Sequence, residues 1–348
     1  MYYNNRDVRL EDMNIPEISD DEFLLKVVAS GICGTDVMEW YRIKKAPLVL
    51  GHEVAGTIAK AGKNVQKFEV GDRVIVSHHV PCMECYYCVN GHHTSCEILH
   101  KTNFIPGGFS EYIRVPKVNV ELGTFKLPAH LSFEEGTFVE PLACIVRGQR
   151  LVGIKSTDTI LVIGSGISGL MHIKLAKSNG VKRIIAVDVN DYRLKAAKKF
   201  GANYCFNAND NPLPKLKEIN DNRLADVVIV CTSTLSAAKQ ALSCVDRGGT
   251  ILFFAVPRPD QSLEIPINDF WKNEIKIMTS YGAAPQDLAE SLELISSNKI
   301  YLKDMITHRL RFDEIGKGFQ LVAEAQESIK VIIEIEEELG SKPVVGKS

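Results

Sequence analysis

The pattern of hydrophobic and polar positions changes character near residue 150. Up to about Pro128, short apolar runs such as "FLLKVVASG", "HEVAGTIAKAG", "DRVIVSHHV" and "SEYIRVP" are separated by Gly, Pro and Asp. Runs of this length between turn residues predict many short β-strands. The first part of the chain is therefore expected to be mostly β.

A helical period begins in "SFEEGTFVEPLACIVRGQRL", and apolar strands then alternate with amphipathic helices from "TILVIGSGISGLMHIKLAKSNG" to "GGTILFFAV". This alternation predicts a parallel sheet that is covered by helices on both faces. The strand "EIKIMTSYG", Glu274 to Gly282, is expected to be the last of this sheet and therefore an edge.

Beyond Gly282 the pattern predicts two amphipathic helices, a strand "IKVIIEI" that could rejoin the first β region, and a frayed charged tail, "EEELGSKPVVGKS". The chain is thus predicted to be α/β. A mostly-β domain covers residues 1–149 and is completed by 283–348, and a doubly wound parallel-sheet domain covers 150–282. The chain begins almost inside its first expected strand, which leaves open whether the native start lies upstream of Met1.

Composition and charge argue against several kinds of protein, including nucleic-acid-binding, membrane-spanning and disulfide-rich ones. The chain has 348 residues, of which 45% are hydrophobic and 24% charged, and its formal net charge of -2 gives no electrostatic reason to expect a nucleic-acid partner. No apolar run is long enough for a membrane span and no leader pattern opens the chain, so we expect a cytoplasmic protein. Thiols stay reduced in that compartment, which favours metal binding for the nine cysteines over a disulfide framework.

A glycine-rich turn, "ILVIGSGISGL", joins an apolar strand to a helix, which is the context of a dinucleotide-binding turn. We expect it to bind the cofactor through Gly164, Gly166, Ile167, Ser168 and Gly169. Asp188 ends the next strand, where a carboxylate can accept hydrogen bonds from the ribose hydroxyls of NAD and repel the extra phosphate of NADP. Arg193 lies five residues further on, near the adenine end, where a guanidinium can hold a 2′-phosphate if Asp188 turns away. We expect Arg193 instead to stack on the adenine or to be solvated on the next helix. These residues predict NAD as the cofactor.

Four cysteines lie within sixteen residues, in "PCMECYYCVNGHHTSC": Cys82, Cys85, Cys88 and Cys96. Four thiolates at this spacing suit a tetrahedral structural zinc site with no open position. The surrounding loop has little apolar pattern, so metal binding would supply the energy that orders it. The adjacent His92 and His93 are expected to be bystanders, because four cysteines complete the ligand shell.

A second set of ligand-type residues, Cys33, His52 and Glu53, occurs in "GICGTD" and "LGHE". Scattered ligands are typical of an open catalytic metal site. Taken singly, however, a cysteine is more often a small buried residue and a histidine more often a hydrogen-bonded structural one.

Together, "GICGTD", "LVLGHEVAGTI", "GDRV", the four-cysteine loop, "GGFSEY", "VEPLA" and the glycine turn resemble the zinc-dependent medium-chain alcohol and polyol dehydrogenases, especially the sorbitol, threonine and galactitol-phosphate branches. The resemblance runs from about Asp20 to Gly282. It implies a GroES-like catalytic domain followed by a Rossmann cofactor domain, and two zinc ions per subunit.

The resemblance also implies individual roles. Cys33 and His52 would be catalytic zinc ligands, and Glu53 would bind the metal when water or substrate leaves. Glu140 of "VEPLA" would be a direct or water-mediated ligand, where the alcohol dehydrogenase branch has a cysteine. Thr35 would take the proton of the substrate alcohol, and Asp36 would anchor His52.

The activity implied is oxidation of a secondary alcohol, such as a polyol, sugar alcohol or sugar-derived substrate, with transfer of hydride to NAD. Two alternatives stay open. The protein could oxidise a 3-hydroxy amino acid, as threonine dehydrogenase does, or it could be a sensor that binds NAD without turnover and has a loop held by structural zinc. Relatives pair the edge strand across a two-fold axis, which implies a homodimer or homotetramer.

Three positions limit what the resemblance says about the substrate. Met38 stands where the threonine and sorbitol branches often carry histidine, and Arg147 stands where many relatives have histidine. Arg147 and Arg42 could each meet a cofactor phosphate or an acidic substrate, or could form ordinary ion pairs.

Overall fold

A computed structural model describes residues 1–335 of the chain. The tail that was predicted to be frayed, residues 336–348, lies outside the described residues. Contacts divide the chain into two compact units. The β-rich unit comprises Met1–Glu140 and the segment from Leu302 onward, and the nucleotide unit comprises Pro141–Tyr301.

The strands of the β-rich unit are β1 Tyr2–Asn4, β2 Asp7–Val8, β3 Phe23–Gly31, β4 Glu53–Ala61, β5 Arg73–Val76, β6 Tyr112–Val115, β7 Thr124–Lys126, β14 Ile306–Arg311 and β15 Lys330–Glu334. Those of the nucleotide unit are β8 Thr159–Ile163, β9 Arg183–Asp188, β10 Tyr204–Asn207, β11 Ala225–Val230, β12 Val245–Phe253 and β13 Lys276–Thr279.

The helices are α1 Glu39–Arg42, α2 Tyr86–Val89, α3 Glu97–Lys101, α4 Lys117–Leu122, α5 Phe133–Gly136, α6 Val139–Val152, α7 Ile167–Ser178, α8 Asp191–Phe200, α9 Pro212–Ile219, α10 Leu235–Cys244, α11 Ile267–Lys272, α12 Pro285–Ser296 and α13 Ile315–Glu324. None of these helices is long and apolar enough to cross a membrane.

The β-rich unit is built on a seven-stranded sheet in the order β14-β15-β3-β4-β5-β7, with β6 also paired to β3. Strand β3 is buried along nearly its whole length and lies inside the sheet, where it pairs with β4 on one side and with β6 and β15 on the other. The strand "IKVIIEI" therefore does rejoin the first β region, as its pattern predicted. Its antiparallel pairing with β3 places Ile332 opposite Gly31.

The nucleotide unit holds a six-stranded parallel sheet in the order β10-β9-β8-β11-β12-β13. The order reverses beside β8, which is the first strand of this unit along the chain, and this is the arrangement of a doubly wound dinucleotide-binding fold. All five residues of β8 are buried, as expected for a strand covered by helices on both faces. The predicted fold class, a GroES-like β domain with a Rossmann parallel-sheet domain, is confirmed.

The limits of the two units lie at Glu140 and Tyr301, whereas the sequence placed them at residues 149 and 282. Helix α6 runs without a break across the first limit. Beyond the second predicted limit, α12 belongs with the nucleotide unit, where its buried Asp287 accepts a hydrogen bond from Arg150. The functions assigned to the domains stay predictions.

Candidate functional site

The first ligand cluster lies at the ends of two paired strands. Cys33 follows β3 by two residues, and His52 and Glu53 stand at the start of β4, because the strand register places Gly31 opposite Glu53. One ligand atom from each of the three residues Cys33, His52 and Glu53 lies within 4.8 Å of the others. A sulfur, an imidazole nitrogen and a carboxylate oxygen at this spacing fit the three protein ligands of an open zinc site.

The Cys33 and His52 side chains are held by their neighbours in the Cys33–Asp36 turn. The Thr35 hydroxyl donates to Sγ of Cys33 at 3.3 Å, and the Cys33 amide donates to Oδ2 of Asp36 at 3.1 Å. The other oxygen of Asp36 lies 3.4 Å from Nδ1 of His52. Asp36 is fully buried, so its carboxylate fixes the orientation of the His52 ring and leaves the other ring nitrogen for a metal.

Electrostatics in the cluster also suit a cation. Burial alone would lower the pKa of His52, but the Asp36 carboxylate and then Cys33 outweigh it and hold that pKa well above its usual range. Burial likewise opposes ionisation of Asp36, and His52 and Arg42 hold the pKa of its carboxyl below the usual value. A zinc ion would take the place of the proton on His52, since a ligating histidine must be neutral.

Glu53 has an ion-pair partner that sequence reasoning missed. The Lys330 ammonium donates to Oε2 of Glu53, and the two side chains are only 1% and 2% exposed. A Cβ at Gly31 would overlap both charged groups, so the glycine leaves the space in which they meet. The neighbours of Lys330 in "SIKVIIEI" are mostly apolar and gave no signal of this contact.

Arg42 contacts the turn beside the first ligand cluster, whereas Glu140 is not part of that cluster. Arg42 donates from Nε to the carbonyl oxygen of Thr35 at 3.0 Å, and its Nη2 lies 3.6 Å from Oδ1 of Asp36. Glu140 lies in the first turn of α6 and does not belong to the ligand cluster found among the described residues. Arg147, in the nucleotide unit, is only 5% exposed.

The four cysteines of the loop form the second cluster. Sγ atoms of Cys82, Cys85, Cys88 and Cys96 lie within 4.8 Å of one another. The closest pairs, Cys85 with Cys88 and Cys82 with Cys96, are both 3.6 Å apart. His92 and His93 are outside this cluster.

The thiols of the loop differ in how easily they ionise. Burial and then a hydrogen bond from Cys85 raise the pKa of the Cys88 thiol. Burial also opposes ionisation of Cys96, but the Cys82 amide, 3.4 Å from its sulfur, and other amides hold its pKa below the usual value. Four thiolates this close need a cation to stay together, and the all-sulfur donor set fits a closed structural zinc site.

The glycine turn has the backbone shape that a dinucleotide site needs. Gly164 has a φ of +95°, and a Cβ at Gly169 would overlap the Gly164 carbonyl, so neither position accepts a side chain easily. A Cβ at Gly166 would meet only the Arg193 guanidinium, 4.0 Å away. Helix α7 begins at Ile167 without a side-chain cap, which leaves the amides of its first turn, including those of Ile167 and Ser168, for an anion.

Asp188 is fixed beside this turn at the end of β9. Its Oδ2 accepts from the Ser165 amide at 2.6 Å, and its Oδ1 accepts from the Asn190 amide at 2.9 Å. Asp188 as a whole is 6% exposed. Nε of Arg193 is buried and has no hydrogen-bond partner in the described part of the chain, so this guanidinium keeps donor capacity beside the turn.

Comparison with known proteins gives two family matches. Residues 19–128 match the alcohol dehydrogenase GroES-like domain, and residues 168–297 match the zinc-binding dehydrogenase domain. The chain is 31% identical to sorbitol dehydrogenase of Bacillus subtilis over 344 residues, which cover 95% of both chains. It is 30% identical to D-xylulose reductase of Saccharomyces cerevisiae, with 94% of both chains covered.

A zinc-binding dehydrogenase from Sinorhizobium meliloti, solved with NADP bound, superposes with a TM-score of 0.84 at 26% identity, covering 96% of this chain and 97% of the other. These similarities support zinc and a nicotinamide cofactor for this chain, in agreement with the donor sets and the turn.

The Glu53–Lys330 pair generates the first prediction. Replacing Lys330 with Met leaves the Glu53 carboxylate buried without its cation, and we expect a loss of about 3–5 kcal/mol in the free energy of unfolding. The Lys330→Met/Glu53→Gln double variant should lose much less, because no charge is left unpaired. The free energies of unfolding of both variants are measured on metal-free protein by denaturant titration, with fluorescence as the signal.

Lys317→Met is the matched control, since the Lys317 side chain is 62% exposed and pairs with Glu314 at the surface. It should change stability by less than about 1 kcal/mol. A Lys330→Met protein as stable as this control would show that the buried pair does not hold Glu53 as described.

Proposed function

Because the chain belongs to the zinc-dependent medium-chain alcohol and polyol dehydrogenases, we propose that it oxidises a secondary alcohol of a polyol, sugar alcohol or sugar-derived substrate with NAD. The observation that best supports the proposal is that Cys33, His52 and Glu53 lie close together. Each of these side chains has a polar partner of its own. A purely structural metal site would have a fourth protein ligand, and no fourth ligand joins this cluster within residues 1–335. The open position favours turnover over the sensor alternative.

The proposal assigns two zinc ions to each subunit, one to this cluster and one to the four cysteines. When bound, zinc at the open site supplies a Lewis acid that lowers the pKa of the substrate hydroxyl, and NAD accepts the hydride. In this assignment Cys33 and His52 are permanent ligands. Glu53, which forms an ion pair with Lys330, would bind the metal when water or substrate leaves, and Glu140 would be a direct or water-mediated ligand.

Thr35 is assigned the proton transfer. Its hydroxyl lies 3.3 Å from Sγ of Cys33, and the residue is exposed, so the hydroxyl can accept the substrate proton while passing its own to water. Arg42 holds the Thr35 carbonyl and thereby the turn that presents this hydroxyl. Asp36 keeps the His52 ring oriented through the same turn.

NAD is proposed over NADP on the geometry of Asp188. A carboxylate fixed by two backbone amides can bond the ribose diol but cannot easily turn away from a 2′-phosphate. We assign cofactor contacts to the turn Gly164, Gly166, Ile167, Ser168 and Gly169 and to Arg193. We also propose a cytoplasmic location, where thiols stay reduced and remain available as zinc ligands.

The function is tested with a panel of alcohols and polyols, by following NADH formation by absorbance. We expect at least one polyol to be oxidised, and the Cys33→Ser protein to lose activity while it keeps its fold and about one zinc per chain. Cys205→Ser is the control, since Cys205 belongs to neither cluster, and it should keep both activity and two zinc ions. Failure of the whole panel, or an active Cys33→Ser protein, would contradict the assignment.

Cofactor choice gives a separate prediction. Replacing Asp188 with Ser removes the ribose bonds and the like-charge repulsion, so the ratio of kcat/KM for NADP to that for NAD should rise by about tenfold or more. The control is Asp191→Ser, which removes an exposed carboxylate three residues away and should leave the ratio unchanged. Equal kcat/KM for NAD and NADP in the unmodified enzyme would show that Asp188 does not discriminate.

We also propose a homodimer, or a homotetramer built from dimers. Among the described strands, β13 ends the parallel sheet and pairs with β12 alone, and its own Ile277 is 37% exposed. The preceding helix α11 exposes two further apolar side chains, Ile267 (69%) and Trp271 (82%). An open apolar edge is usually covered, and pairing β13 across a two-fold axis would cover it. Light scattering at micromolar concentration should give a dimer or tetramer, and Ile277→Lys should weaken it; a monomeric unmodified protein would contradict the proposal.

A further inference from the structure

The Thr35 turn, residues 33–39, has little apolar packing to hold it. Gly34 and Thr35 are exposed, and helix α1, which follows them, contains no buried residue. Two backbone hydrogen bonds lie within the turn, from the Asp36 amide to the Cys33 carbonyl oxygen at 3.0 Å and from the Met38 amide to that of Thr35 at 3.4 Å. Polar contacts with the rest of the β-rich unit therefore contribute strongly to its position.

The first hairpin of the chain makes two such contacts. Strands β1 and β2 pair antiparallel, and Asn5 lies in the turn between them. Nδ2 of the Asn5 side chain donates to the carbonyl oxygen of Val37 at 2.9 Å. The backbone amide of Asn5 donates to Oε1 of Glu39 at 3.0 Å. Asn5 thus bonds the Thr35 turn on both sides of Met38.

The Asn5 side chain is itself fixed by Tyr2. The Tyr2 hydroxyl donates to Oδ1 of Asn5 at 2.9 Å, so the NH2 group of the amide remains for the Val37 carbonyl, which can only accept. Tyr2 is 1% exposed and exchanges backbone hydrogen bonds of 2.9 and 3.2 Å with Leu48. Its ring centroid lies 5.8 Å from that of Phe319. Asn5 is therefore attached to a buried, well-packed anchor.

We propose that Asn5 is a positioning residue for the proton transfer assigned to Thr35. It acts through the Val37 carbonyl oxygen and the Glu39 carboxylate, and not on the substrate itself. The Thr35 hydroxyl must keep its place beside Sγ of Cys33 to meet a substrate alcohol, and a displacement of about 1 Å can cost about 100-fold in rate. The inference rests on the proposed function, because it concerns a step of that reaction.

The main variant is Asn5→Ala, which removes both side-chain bonds and keeps the backbone bond to Glu39. We expect kcat and kcat/KM for the most active alcohol of the panel to fall together by about tenfold or more, with KM for NAD unchanged, because the reacting geometry is lost and cofactor binding is not. The solvent deuterium isotope effect on kcat/KM should rise, since the proton transfer becomes slower. Asn5→Asp, which keeps the shape and the acceptor but not the donor, should give the same losses.

The hydrogen bond from Tyr2 supplies an independent variant. Tyr2→Phe removes the hydroxyl and keeps the buried ring, so we expect a smaller fall in kcat/KM, of about threefold. In the Asn5→Ala background the same substitution should have no further effect, because both variants act through one contact. Losses that add in full would count against the proposal.

Hydrogen exchange of the metal-free protein gives a readout that does not depend on activity. The peptide that spans Gly34 to Glu39 should exchange faster in Asn5→Ala than in the unmodified protein. Asn4→Ala is the matched control, because it makes the same change in the adjacent residue, whose Oδ1 accepts from the Arg6 amide within the hairpin at 2.9 Å. This control should leave kcat, the isotope effect and the exchange unchanged.

Zinc content is measured for each variant and should equal that of the unmodified protein. An Asn5→Ala enzyme that is as active as Asn4→Ala, that has lost zinc, or that is impaired only in KM for NAD would overturn the proposal and leave the proposed function standing. If the unmodified protein oxidises no alcohol of any kind, it is the proposed function that fails, and this inference with it.

Discussion

Glu53 and Lys330 carry opposite charges at positions that are almost closed to water, and neither charge could remain there alone. Their meeting depends on strand β3, since Gly31 pairs with Glu53 of β4 on one side and with Ile332 of β15 on the other. Two residues 277 positions apart in the chain thus come together over one glycine. The return of the last described strand to the sheet therefore helps to build the candidate metal site, as well as the fold.

A separate polar partner for each ligand is the common feature of the first cluster. Cys33 receives the Thr35 hydroxyl, His52 faces the Asp36 carboxylate, and Glu53 faces Lys330. These partners orient the ligands before any metal arrives, so binding need not order them. Within residues 1–335 the sulfurs of the loop cysteines hydrogen-bond only with backbone amides and with each other, which fits a site where the metal itself would supply the ordering.

The sequence predicted best those sites whose residues lie close together along the chain. The spacing of the four cysteines and the strand, turn and acid around Gly164 and Asp188 lie in short stretches, so their assembly could be predicted from the chain alone. Family resemblance was needed to connect Cys33 with His52, because neither residue signals a metal by itself. Glu140 was expected near these two, yet it does not join the cluster within the described residues.

Two features could not be predicted, for different physical reasons. The contact of Lys330 with Glu53 depends on the register of strands far apart in sequence, and no local pattern reports that register. Asn4 and Asn5 are identical neighbours in "YYNNRDV", and only the bond of Asn5 to the Val37 carbonyl, 32 positions away, separates them. Which of the two faces the Thr35 turn is a property of three-dimensional packing.

We propose that the β-rich unit organises two metal centres, an open one and a closed one. Anomalous diffraction from crystals of the unmodified protein, collected on both sides of the zinc absorption edge, tests it most directly. We expect two zinc peaks per chain, one enclosed by the four loop cysteines and one bound by Cys33 and His52 with Glu53 beside it. A single peak at the loop, with no metal bound to Cys33 and His52, would contradict this proposal.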